Sequence, residues 1–143
     1  MTYPDPAVRT AIAERFVPLK LDLFADRQVV RPLNVFWTPT LLVADRRGVV
    51  HYRSVNYLPP ADFLDILDIG EANVRLRWGE YDRAIALLAA VPIRHPDGPL
   101  VPEAIYWRGI ATYLKTHDHD AMDAVWQALR DRFPDSIWAR RIP

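Results

Sequence analysis

Val35-Phe-Trp-Thr-Pro-Thr-Leu-Leu-Val-Ala-Asp-Arg-Arg-Gly-Val-Val-His51 decides the fold of this chain. Thr40 to Ala44 is apolar and β-branched enough for a buried strand, and Val49 to Val55 carries the chain back. Between them Asp45-Arg46-Arg47-Gly48 has turn chemistry, so the whole reads as a hairpin. Pro39 has no N–H to give to a ladder and therefore belongs at the mouth of the strand.

Working outward, Asp5-Pro6 reads as a helix N-cap with proline at the first helical position. Val8, Ile12 and Phe16 then repeat every four residues along one face. Val17, Leu19, Leu21 and Leu23 alternate with Pro18, Lys20 and Asp22, the period of a strand. Asp26 is placed to cap a short helix through Val29, Val30 and Leu33. Downstream, Phe63, Ile66 and Leu67 form the apolar stripe of a helix over 60–68, with Asp62, Asp65 and Asp68 at spacing three as its wet face.

In this order, helix, strand, helix, strand, strand, helix, residues 3–68 resemble the thioredoxin-like superfamily from the helix after its active site onward. The Thr38-Pro39 step, the 40–55 hairpin and Val55-Asn56-Tyr57-Leu58-Pro59-Pro60 before the last helix carry the resemblance. It implies an α/β domain, truncated, with 17–23, 40–44 and 49–55 in one three-stranded sheet. It also implies a cis Thr38–Pro39 peptide, Asn56 in a left-handed turn where the family has glycine, and substrate segments bound beside Trp37, Thr38 and Pro39. Thiol–disulfide exchange requires a low-pKa thiolate, and the sequence contains no cysteine. As given, the chain is expected to be redox-inactive and to have no catalytic residues. The alternative is the C-terminal piece of a thioredoxin-family oxidoreductase whose Cys-X-X-Cys lies upstream of Met1.

After Gly70 the period changes from two to that of helices. Residues 78–98 laid on 116–136, a shift of 38, bring Asp82 onto Asp120, Ala86 onto Ala124, Ala90 onto Ala128, Arg94 onto Arg132 and Pro96 onto Pro134. Gly79-Glu-Tyr-Asp-Arg-Ala-Ile85 resembles the second helix of a tetratricopeptide repeat, a helix pair of about 34 residues. The expected organisation is therefore a partial thioredoxin-like domain over 1–68 and an all-α, tetratricopeptide-like domain of helical hairpins over 69–143. In such an array the first helices of each pair would present Asn73, Arg77 and Tyr106 to a bound peptide.

Charge narrows the partners. Eighteen basic and eighteen acidic residues cancel overall, and they cancel separately in each half, so no basic face points to nucleic acid. No apolar run approaches the roughly 20 residues of a membrane span. His117-Asp-His-Asp120 has ligand chemistry but falls on a turn between two helices, and no metal or other cofactor is called for. Phosphate-cradling glycine loops and a Gly-X-Ser-X-Gly setting are both lacking. The expected protein is a cytoplasmic, non-catalytic interaction module with a protein or peptide partner. A homodimer covering Leu19, Leu21, Leu41 and Val43 is its expected assembly.

Overall fold

The computed structural model describes residues 2–143. The chain divides into two compact units, Met1–Leu64 and Asp65–Pro143.

In the first unit, α1 spans Pro6–Arg15. Asp5 caps it as its sequence predicts, with Oδ1 accepting from the amides of Ala7 at 2.9 Å and Val8 at 3.1 Å. Val8 is fully buried. A short helix α2, Arg27–Val30, runs into a 3-10 turn at Arg31–Leu33. Pro32 lies in that turn, and Asn34 ends it in the left-handed region at φ 53°. Asp26 precedes α2 but does not cap it through its side chain. Its Oδ2 instead accepts from the amide of Asp22 at 2.7 Å.

The hairpin has its two strands, β1 Thr40–Ala44 and β2 Val50–Val55, paired antiparallel with Thr40 opposite Val55 and Leu42 opposite Arg53. Asp45 builds the turn, with its backbone N–H bonded to Val49 O and its carboxylate accepting from the amides of Arg47 and Val49. Gly48 takes φ +80°, which a residue with a Cβ adopts only with strain.

The three-stranded sheet expected from the sequence is not formed. The sheet is two-stranded, β1–β2, and residues 17–23 are not a strand. Alternation fits a residue to one face of a sheet, but strand structure also requires a neighbouring backbone to pair with. None of the described residues supplies one to 17–23, so Val17 and Leu19 point into solvent and residues 23–26 turn. The architecture is mixed α/β with a single hairpin, not a truncated three-stranded α/β domain.

Helix α3, Pro60–Arg77, runs without interruption through Gly70, where the sequence suggests a junction between separate helices. A glycine inside a helix costs only about 1 kcal/mol, and Ile66, Leu67, Ile69 and Ala72 around it are all buried. Gly79 at φ +74° stops α3, with the Glu80 amide reaching back to Arg75 O at 2.9 Å.

The second unit continues with α4 Tyr81–Arg94, α5 Val101–Thr116 and α6 His119–Arg132, closed by a 3-10 turn at Ala139–Arg141. Helix α4 packs on α5 and α5 on α6, through buried Ala84, Leu88 and Val91 from α4, Val101, Ala104, Ile105 and Ala111 from α5, and Trp126 and Leu129 from α6. Gly109 is required by this packing. A Cβ there would lie 2.6 Å from Trp126 Cδ1, too close for any side chain. The Trp126 indole donates to Tyr106 O at 3.0 Å across the same contact.

Candidate peptide-binding site

The Thr38–Pro39 peptide is cis. Trp37 and Thr38 before it are exposed, and Thr40 Oγ1 donates to Trp37 O at 2.7 Å, tying the approach to the first residue of β1. At the same open end of the hairpin, just after β2, Asn56 donates its backbone N–H to Pro39 O at 2.9 Å. Asn56 has φ 88°, the left-handed turn its sequence position predicts. The cross-chain bond fixes the two exits of the hairpin side by side.

Between these exits lies a cavity of about 270 Å³, lined by Thr2, Tyr3, Pro4, Pro39, Leu41, Asn56, Tyr57, Leu58 and Phe63. The Tyr3 and Phe63 rings meet edge to face, with centroids 5.5 Å apart, and form one wall. Thr2 Oγ1 donates to Leu58 O and holds the N-terminal segment against the cavity rim. Apart from Thr2 and Asn56 the lining is aromatic, aliphatic or proline. Such a cavity takes an apolar group of about side-chain size and offers no charge to hold an ion or phosphate.

Of the residues the sequence points to, Pro39 lines this cavity and Trp37 and Thr38 adjoin it in the chain. Asn73, Arg77 and Tyr106 belong to the second unit. Asn73 Nδ2 is engaged with Ile69 O at 2.9 Å, one turn back in its own helix. Arg77 is exposed at the end of α3. The Tyr106 ring is stacked on Trp126 at 5.4 Å and tilted against Trp138 at 5.2 Å, so it serves packing.

Two polar groups escape the sequence reading. Asp65 and Asp68, expected on a wet helix face, are buried, with relative exposures of 0% and 2%. Arg94 Nη1 meets Asp65 Oδ1 at 2.7 Å and Arg94 Nη2 pairs with Asp68 Oδ2, while His95 Nδ1 is 3.2 Å from Asp65 Oδ2. Burial pushes the Asp65 carboxyl above its ordinary range, against the pull of His95 and Arg94. With its carboxylates already engaged by a guanidinium, the cluster is a structural ion network. A legible signal was present. Residues 65–70 interleave these acids with Ile66, Leu67 and Ile69, and a helix buried all round has no wet face.

A second network joins α3 to α4. Arg75 bonds Glu71 at 3.0 Å and Glu80 at 2.7 Å, and Arg83 reaches Glu71 at 3.1 Å. In the turn 117–120, Asp118 caps α6 by accepting from the amides of Asp120 and Ala121, and the His119 ring packs on Tyr113 at 4.6 Å. In the first unit the Asp45 carboxyl is pulled down to about 2, first by its hydrogen bond with His51 at 3.0 Å and then by the Arg47 and Val49 amides.

Compared with known family models, with curated proteins and with solved structures, the chain matches none. Among the described residues no helix is long and apolar enough to cross a membrane.

Proposed function

We propose that this chain is a non-catalytic protein-interaction module, related in its first part to the C-terminal portion of the thioredoxin-like superfamily and in its second to tetratricopeptide-like helical hairpins. It binds an extended peptide segment beside Pro39. The observation that carries the reading is the apolar cavity between Pro39 and Tyr57. It lies next to β1, which among the described residues pairs in the sheet with β2 alone. An extended segment pairing along the free side of β1 would use main-chain hydrogen bonds for affinity and place one apolar side chain in the cavity for selectivity. The absence of cysteine leaves the chain itself no thiolate for exchange chemistry. Supporting the relationship are the 40–55 hairpin and the left-handed Asn56 that closes it.

Hydrogen–deuterium exchange with a panel of extended peptides carrying Leu, Phe or Trp at alternate positions tests this directly. Protection of residues 38–43 and 56–58, abolished by filling the cavity with Leu41→Trp, is expected. Protection confined to the helices at 81–132, or no protection at saturating peptide, would overturn it.

A further inference from the structure

Two guanidinium groups of the helical unit are each held by a pair of acids: Arg75 by Glu71 and Glu80, and Arg94 by Asp65 and Asp68. Arg108, half-buried near the middle of α5, is different. Its side chain has no carboxylate and no hydrogen-bond acceptor among the described residues, and its Nε is fully enclosed with nothing to donate to. The residues three and four positions away on the same face of α5 offer nothing either. Ala104, Ile105 and Ala111 are buried and apolar, and Thr112 turns its hydroxyl to Arg108 O at 2.8 Å. Burial with no acid to offset it draws the guanidinium below its ordinary range. It nevertheless stays charged at neutral pH.

A cation taken partly out of water without a counter-charge destabilises the chain that carries it. Where such a group persists, the missing partner is one that binds. The Nη nitrogens of Arg108 also lack an acceptor but are not enclosed, so the fork end of the group is its open side.

We propose that Arg108 is an anion-binding residue whose ligand is a carboxylate, held end-on through Nη1 and Nη2. A planar carboxylate meets the guanidinium fork in two parallel bonds, and its single negative charge answers a single cation. A phosphate carries nearly two charges at neutral pH, and the other cation of α5, Lys115, is already bonded to Asp82. The apolar neighbours of Arg108 strengthen the pair, because a charged hydrogen bond gains in a less polar setting. The inference is independent of the peptide reading, since Arg108 takes no part in the cavity beside Pro39.

The Nε–Hε resonance of Arg108 in the ¹⁵N-labelled full chain, assigned by its loss in Arg108→Lys, reports the site directly. Sodium acetate, sodium succinate or acetylated trialanine is expected to shift it saturably, with half-saturation at or below about 10 mM, while sodium chloride at equal ionic strength leaves it in place. A response to acetate or succinate assigns a small acid. A response to the tripeptide alone, lost when its C-terminus is amidated, assigns the end of a polypeptide; either supports the proposal. Arg108→Met should remove the carboxylate-dependent rise in Tm and leave the free chain as stable as before or more so, because it deletes an uncompensated charge. A merely structural arginine would give the opposite sign. A resonance unmoved by every carboxylate at about 100 mM, an equal shift with chloride, or loss of stability in Arg108→Met overturns the proposal.

Discussion

The two units solve the same problem, covering apolar surface, with opposite success. Residues 65–143 enclose most of theirs, with Ile93 and Ile137 left exposed: Leu88, Val91, Val101, Ala104 and Leu129 are fully buried, and even Asp65 and Asp68 are taken inside with Arg94 as their partner. Residues 2–64 leave Phe24, Phe36 and Trp37 in water, keep a two-stranded sheet and hold an apolar cavity open. A lone hairpin is marginal by itself, whereas three helices packed in sequence bury continuous stripes. The helical unit encloses more of its apolar surface than the hairpin unit does, which is why the proposed peptide site is sought in the first unit.

The contrast breaks if core truncations weigh equally in both. Leu88→Ala in the helical unit should cost about 3 kcal/mol in urea unfolding, the usual figure for a fully buried leucine. Arg94→Met, which strips a cation from two buried carboxylates, should cost about 2–3 kcal/mol at neutral pH, discounted because a third of the guanidinium side chain is open to solvent. Both effects should appear in helical circular dichroism. In the hairpin unit Asn56→Val should cost about 1–2 kcal/mol, because a β-branched residue resists φ 88°, while Asn56→Gly should be neutral or slightly stabilising. Smallest of all, Phe36→Ser should change monomer stability by less than about 0.5 kcal/mol, since the ring is exposed.

Acid sharpens the comparison, because the two units carry carboxylates shifted in opposite directions. Asp45 is held at about 2, below its ordinary 3.8, so the stability it lends is present above 3.8 and is lost as pH falls toward 2. Asp65 is raised, so its contribution is complete below its ordinary 3.8 and is lost as pH rises through its folded value. Carboxyl ¹³C NMR across an acid titration should show Asp65 titrating above 3.8 and Asp45 near 2. His51→Leu should return Asp45 toward 3.8 and leave Asp65 unmoved.

Much of this was written in local sequence. The Asp5-Pro6 cap, the turn at Asp45–Gly48, the left-handed Asn56 and the helix starts near Tyr81 and His119 are each specified by residues within one or two turns of the feature, and each forms. The failures are non-local. Residues 17–23 alternate as a strand does, yet pairing depends on a neighbour that the pattern does not contain. The burial of Asp65 and Asp68 was signalled by the apolar residues between them, but their partner Arg94 was not, since it comes from some 26 residues away. Of the cavity lining, Pro39 alone was singled out for binding from the sequence, through the family resemblance that its Thr-Pro step carries. The cavity walls Tyr3, Tyr57 and Phe63 were not, since they converge from three separate segments. The repeat at 78–98 and 116–136 shows the same limit. Arg94 and Arg132 align in sequence, but Arg94 anchors buried acids whereas Arg132 bonds Pro96 O at 2.7 Å on the surface.

Native-state hydrogen exchange on the free chain at low concentration tests this contrast between the two units most directly. Two tiers are predicted: amides of Tyr81–Arg132 exchanging only with global unfolding, and those of 16–37 and the 40–55 hairpin exchanging through local openings at clearly lower free energy. A single tier shared by both units, or a hairpin more protected than the helices, would contradict the account.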